Sequence, residues 1–347
     1  MIKKQKLLSK SIEHLDNFSG KKILVIGDLM VDQYIFGEAT RLSPEAPVPV
    51  VDVESVEYRL GGAANTINNI VSLGGKVYAV GVIGGDENGR WLIKELRRKG
   101  VTVSDIVVDP QRPTTTKTRV MAGHHQIVRF DRESKEEINP SLTDKIVHSL
   151  KDRINNVDCI AISDYDKGLI NVKLINSVVK LSHKFNKPIV VDPKVKHHLQ
   201  YHGVTIVKTN TKNASTATCM AIMDEKSLLD VGFKLLDNLR SDAIIITQGK
   251  DGMTIFKRCQ KKATDVIHMP AFAREVYDVT GAGDVVTAVL ALALSAGASI
   301  EEAAFLSNVA AGIKVRKIGT NVVRKDELRT FLSSLNPRIT ERRIYAK

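Results

Sequence analysis

Short apolar runs bounded by glycine, aspartate or proline recur along this 347-residue chain, with helical stretches between them. Lys22–Gly27 (KILVIG), ended by Gly-Asp, has the unbroken apolar character of a strand buried on both faces. Val77–Ile83, Cys159–Ser163, Pro188–Val191, Thr205–Val207, Ala243–Thr247, Met253–Lys257 and Thr264–Met269 read as further strands. Helices are predicted over Ala63–Leu73, closed by Gly74-Gly75, and over Arg90–Lys99, Asn171–Lys184 and Leu228–Leu239. Ser299 and Glu302 have the spacing of a capping box for a helix over Ile300–Arg316, and a last helix covers Lys325–Leu332.

Such an alternation predicts an α/β domain with a doubly wound, mostly parallel sheet flanked by helices. Two regions break the rhythm. Residues 30–55 carry a proline-flanked alternating strand, Val48–Val53, and residues 112–131 read as a hairpin of Thr114–Met121 and Gln126–Phe130 around Gly123. Together they predict a small separate β-sheet, a lid over the main one. The first 20 residues read as an amphipathic helix with Leu7, Leu8, Ile12 and Leu15 on one side, residues 21–335 as one domain, and residues 336–347 as a basic tail.

The stretch Tyr277–Asp284 (YDVTGAGD) stands between the last strand and the apolar run Val285–Leu294. Gly281, Ala282 and Gly283 at a helix mouth leave backbone N–H groups bare, and the helix dipole makes them a seat for an anion. Asp284 falls in the first turn beside that seat, where a carboxylate is unfavourable unless it takes a proton or holds a metal. A tight turn with a helix-favouring aspartate accounts for this stretch equally well.

Composition narrows the partners. A net charge of +12 suits an anionic one, but with 5% aromatics and no dense basic run a nucleic acid is disfavoured against small phosphorylated molecules. No apolar run is long enough to span a bilayer, and Cys159, Cys219 and Cys259 are too far apart for a disulfide framework. A reducing cytoplasm is the expected location.

Polar clusters follow several strands, where open α/β sheets bind ligands. They are Asp28 and Asp32 after the first strand, Gly61-Gly62 with Asn65 at a helix start, Asp164 and Lys167 within Ser163–Gly168, and Lys194 after Asp192-Pro193. Lys117, Arg119 and Arg129 would give the lid a cationic face. Each also has an ordinary turn, cap or solvated-surface explanation. His197, His198 and His202 lack the spacing of a zinc site.

Taken in order, these pieces resemble the PfkB (ribokinase-like) carbohydrate kinases, with Gly61-Gly62 in the first family signature and Asp278–Asp284 (DVTGAGD) in the second. Arg41–Val50 (RLSPEAPVPV), Leu60–Asn65, Thr116–Val120, Ser163–Gly168, Asp192–Lys194 and Val276–Asp284 are similar to the D-glycero-β-D-manno-heptose 7-phosphate kinase domains of bacterial bifunctional heptose synthases. The resemblance implies a ribokinase-like fold and ATP-dependent phosphorylation of a sugar phosphate at O1, on the way to ADP-heptose. It implies Asp284 as general base, with the Gly281–Gly283 amides stabilising the transferred phosphoryl group. Asp28, Asp32, Gly61, Gly62, Asn65 and Asp164 would face the sugar, and Lys117, Arg119, Arg129, Lys167 and Lys194 its phosphate. Asn210, Thr211, Lys212, Asn213, Thr247, Gly249, Gly252 and Asn308 would line the ATP site, with Mg²⁺ as cofactor. Asp278 and Thr280 would belong to a monovalent-cation loop, K⁺ being the candidate.

One departure concerns the metal. The family's Asn-x-x-Glu reads Asn210-Thr211-Lys212-Asn213 here, so a neutral amide replaces the glutamate that organises the Mg²⁺ waters. No HxGH nucleotidyltransferase motif follows, so the adenylyl step is expected from a separate protein. The lid is expected to pair with a second copy in a homodimer.

Overall fold

A computed structural model describes residues 2–259, 264–273, 276–317, 319–335 and 342–346, with side chains from residue 7 to residue 335 within those ranges. Helix α1 (Ile2–Asp16) leads into β1 (Lys22–Gly27) and two long strands, β2 (Leu29–Leu42) and β3 (Pro49–Gly62). Then come α2 (Ala63–Ser72), β4 (Lys76–Ile83), α3 (Glu87–Arg98) and β5 (Thr102–Val108). The hairpin β6 (Thr115–Ala122) and β7 (His125–Arg132) precedes α4 (Pro140–Asn155), β8 (Cys159–Ser163), α5 (Val172–Lys184) and β9 (Ile189–Asp192). Next are β10 (Ile206–Asn210), α6 (Thr211–Thr218), α7 (Glu225–Leu239), β11 (Ala243–Thr247), β12 (Met253–Arg258) and β13 (Thr264–Met269). Helices α8 (Ala282–Ser295), α9 (Ile300–Lys314) and α10 (Lys325–Ser334) and strand β14 (Arg342–Ala346) complete the order.

Among the described residues the main sheet has ten strands in the order β14-β13-β12-β11-β10-β9-β8-β1-β4-β5. From β11 to β5 all neighbours are parallel, and β12, β13 and β14 extend one edge antiparallel. The alternation along β1 sends Ile23 and Val25 into a core shared with α1, α2, α8, α9 and α10, and Leu24 and Ile26 into a second core with α4, α5 and α7. Burial on both faces is why these strands read as unbroken apolar runs.

The lid is a separate four-stranded sheet, β3-β2-β6-β7. Three expectations change. Gly61 and Gly62 end β3 rather than open a helix, with Gly62 (φ 53°) as the residue before α2. Residues 342–346, expected in a basic tail, pair with β13, whose open edge offers unpaired backbone groups. The amphipathic N-terminal helix is present, and it is no separate appendage, since Leu15 is fully buried in the main core.

Candidate active site

The strand register brings the polar clusters level. Gly27 of β1 stands opposite Ser163 of β8, and Ser163 opposite Asp192 of β9. Chain order runs outward in both directions from β1 and β8, and at such a switch point the flanking loops part and leave a crevice. Asp28 lies there, buried, its Oδ2 accepting the Tyr165 and Lys167 backbone N–H groups at 2.8 and 3.2 Å. Its Oδ1 is buried without a protein partner. Burial and then the neighbouring Asp164 charge raise the Asp28 pKa to about 6.

Asp284 is the centre of the arrangement. Gly281 (φ 77°) is the residue before α8, and a Cβ there would stand 2.6 Å from the Asn65 amide nitrogen, so only glycine fits both turn and contact. Asp284 then projects from the first turn, buried, between α2 and the end of β8. Its Oδ2 accepts from Asn65 Nδ2 at 2.7 Å, and its Oδ1 accepts from the Tyr165 hydroxyl at 2.5 Å and from Thr66 Oγ1 at 3.4 Å. Burial raises its pKa to about 6, although Tyr165 and Asn65 pull the other way. A buried carboxylate that stays ionised at neutral pH yet titrates near 6 can accept a proton from a hydroxyl brought against it.

Two groups beside it were not singled out from sequence. Tyr165 lay inside a quoted cluster without a role. Lys208, from β10, is buried, donates to Asp192 Oδ2 at 2.5 Å and lies where a Cβ on Gly283 would meet its Nζ at 2.9 Å. A fixed ammonium thus stands at the anion seat. A lysine at the polar end of an apolar strand was the available signal.

On the sugar side the structure rearranges the expected roles. Asp32 is buried and takes Arg119 at 2.6 Å, with the guanidinium of Arg119 5.1 Å from the Tyr34 ring centre. Lys117 pairs with Asp131 at 2.7 Å, Arg129 with the same Asp131 at 3.1 Å, and Lys167 with Glu133 at 2.8 Å. The lid face is therefore charge-paired rather than openly cationic. Lys194 places its ammonium 4.8 Å from the Tyr165 ring centre. Asp164, expected at the sugar, has protein partners for its buried carboxylate, which accepts from the Asp166 N–H and the Tyr201 hydroxyl and contacts His197 Nδ1 at 2.9 Å. The other two histidines also have local partners, Thr209 for His198 and the Asn238 carbonyl for His202.

On the far side of Gly283 a cavity of about 560 Å³ opens, and Thr247, Gly249, Gly252 and Asn308 all line it, with Phe272 and Val279 as apolar walls. A volume of this size suits a small-molecule ligand. The other four expected residues stand apart. Thr211 lines a neighbouring hollow of about 490 Å³, Lys212 is exposed, and Asn210 caps α6 by accepting the Asn213 N–H at 2.8 Å. Asn210 is thus committed to its helix and Asn213 carries no charge. Among the described residues no three acidic, histidine or cysteine side chains group into a metal site. This donor set does not fit a divalent ion held by the protein itself.

At Asp278, Oδ1 accepts the Thr280 N–H at 2.8 Å and Oδ2 the Gly319 N–H at 2.7 Å. Burial alone would raise its pKa, but these hydrogen bonds hold it below the usual carboxylate range. Within this loop stands the buried ammonium of Lys314, donating to the carbonyls of Asp278 at 3.1 Å and Lys317 at 3.3 Å.

A crevice at a switch point thus holds a buried carboxylate on a helix N-terminus beside an adjoining cavity, an arrangement that can accept a hydroxyl proton next to an anion seat. The chain belongs to the pfkB family of carbohydrate kinases, whose sequence profile matches residues 20–326. It is an ATP-dependent carbohydrate kinase. It is 46% identical to the bifunctional protein HldE of Geobacter sulfurreducens over 320 residues, which are 92% of this chain and 64% of that protein. With the bifunctional protein HldE of Helicobacter hepaticus it shares 44% over 312 residues, 90% of this chain and again 64% of the relative. The chain thus spans less than two thirds of the length of these relatives. Its fold is that of Escherichia coli phosphofructokinase-2 solved with substrates and products (TM-score 0.73, 17% identity, 90% of this chain and 98% of that one). It also matches Arabidopsis thaliana ribokinase complexed with ribose and ATP (TM-score 0.70, 19% identity, 90% and 99%). Among the described residues no helix is long and apolar enough to cross a membrane.

Proposed function

We propose that this kinase transfers the γ-phosphoryl group of ATP to O1 of a D-glycero-D-manno-heptose 7-phosphate, giving the 1,7-bisphosphate on the route to ADP-heptose. The observation that carries the reading is Asp284, buried and oriented by Tyr165 and Asn65 beside the Gly281–Gly283 amides, with the cavity on one side and Asp28 on the other. Similarity to the HldE proteins supports the choice of sugar.

In this reading Asp28 Oδ1, without a protein partner, accepts a sugar hydroxyl, and Asp32 and Asn65 hold others. Asp284 takes the O1 proton as O1 forms its bond to the γ-phosphorus and the bond to the ADP oxygen breaks. The three amides of the glycine turn and the Lys208 ammonium meet the charge on the transferred group. Lys167, Lys194 and Arg119 recognise the distant phosphate, exchanging their present partners for it. Thr247, Gly249, Gly252 and Asn308 seat the nucleotide. A divalent ion would have to be supplied with the nucleotide, whose charge it would neutralise, since Asn210 caps its helix and Asn213 carries no charge. We further propose that the chain works in the cytoplasm as a homodimer joined through its lids.

The test is a substrate panel followed by ³¹P NMR with ATP and Mg²⁺. A new anomeric phosphate from heptose 7-phosphate, absent with Asp284→Asn, is expected. Turnover only of an unphosphorylated sugar overturns the assignment. A second reading, a sensor that binds without turning over, is favoured by Asn213. Tight ligand binding by calorimetry without ADP release would favour it, and turnover restored in Asn213→Glu would show instead that the amide had impaired a kinase.

A further inference from the structure

The resemblance to the family led us to expect a monovalent-cation loop at Asp278 and Thr280, and this chain's residues do not fit it. We propose that the Lys314 ammonium is a built-in substitute for that cation, holding the glycine turn in its working shape so that the protein needs no K⁺.

Lys314 occupies the last turn of α9, where backbone carbonyls lack helical partners and a positive charge is favoured. Its side chain is fully buried and its Nζ donates to two main-chain oxygens, Asp278 O and Lys317 O. Those oxygens belong to two segments that are also tied to each other. The Tyr277 and Asp278 N–H groups donate to Val315 O at 2.8 and 3.1 Å, and Gly319 N–H donates to the Asp278 carboxylate. A cation in this loop would need the oxygens that the ammonium already holds, and its charge would be repelled.

The ammonium also explains how its own burial is tolerated. Desolvation disfavours the charged lysine, and the carboxylates of Asp278 and Asp284 act against that loss. Lys314 is thus electrostatically linked to Asp284, which follows the braced loop in the chain. It touches no reacting atom, so it is a positioning residue.

The inference rests on the kinase reading of the site, but its test uses no sugar. Wild-type protein is compared in K⁺ and in N-methylglucamine chloride at equal ionic strength, by thermal melting, by ATP affinity and by ²⁰⁵Tl⁺ NMR. Equal Tm within about 1 °C, equal ATP affinity and no bound Tl⁺ are expected, because a ligand that binds only the folded chain must raise Tm. A saturable K⁺ gain in Tm or a bound Tl⁺ signal in the wild type overturns the proposal. Lys314→Ser, which empties the position, is expected to acquire K⁺-dependent Tm and ATP affinity. If it folds and shows neither, with ATP affinity unchanged, the proposal also fails. Should that variant not fold, Lys314→Gln keeps a donor without the charge. ATP affinity lower by about fivefold supports the proposal, and unchanged affinity refutes it. Failure of the heptose assignment alone would leave all these readouts as they are.

Discussion

The two sheets of this protein treat charge and apolar surface in opposite ways. In the ten-stranded sheet both faces are covered, and the polar groups at its strand ends are held by fixed partners: Asp284 by Tyr165 and Asn65, Asp28 by two backbone amides, Lys208 by Asp192. In the four-stranded lid β7 is exposed along its length, and Val53, Val56, Tyr58, Val128 and Phe130 are each more than 40% exposed. Its cations are paired with carboxylates at its own surface. Chemistry that needs preorganised dipoles belongs on the rigid sheet. Recognition that must open for a substrate and close over it belongs on the lid.

Substitutions can break this comparison, beginning where the effect should be greatest. Asp284→Asn removes the base but keeps the volume, and kcat is expected to fall by about 10³-fold with ATP affinity nearly unchanged. A fall below about tenfold would mean that proton removal is not carried by this group. Tyr165→Phe removes a hydrogen bond to the ionised carboxylate. A loss of about tenfold in kcat/KM at pH 6 is expected, shrinking as pH rises.

On the lid, Arg119→Met leaves Asp32 buried and unpaired. We expect a rise of about tenfold in KM for the phosphorylated sugar, with a lower Tm and a smaller change in kcat. An unchanged KM would take Arg119 out of substrate recognition. Phe130→Ser should alter the stability of a monomer by no more than about 0.5 kcal/mol, because the ring is exposed. The same change should dissociate a dimer joined through the lids, read by light scattering. A wild-type monomer at the same concentrations would remove that interface from the account.

Much of the rigid sheet was legible in the sequence because burial on both faces leaves unbroken apolar runs, as in Lys22–Gly27 and Ala243–Thr247. The capping box at Ser299 and Glu302 is formed as its spacing predicted. Helix α4 was overlooked although Asn139-Pro140 is a start signal and Ile146, Leu150 and Ile154 repeat at helical spacing. Short spacings around glycine turns set Asn65 and Asp284 each in the first turn of its helix, as read from the sequence, whereas their mutual hydrogen bond was not legible there. What sequence hid were long-range pairings. Nothing local tells that Asp164 spends its oxygens on His197 and Tyr201, or that Arg119 reaches Asp32. Lys314 was visible as a lone charge in the buried run of α9, but its partners lie on the other side of the glycine turn.

The pocket around Asp284 sets a base titrating near 6, and the pH dependence of kcat/KM reads that titration. Burial raises this carboxyl to about 6 in the free protein. Protonation below that value removes the acceptor, so kcat/KM should be flat above pH 7 and fall by about tenfold per pH unit well below 6. Asp28 titrates over the same range and can only steepen this limb. Because the Tyr165 hydrogen bond lowers the Asp284 pKa, Tyr165→Phe should move the limb to higher pH. A limb that stays in place when Tyr165 loses its hydroxyl would contradict the account.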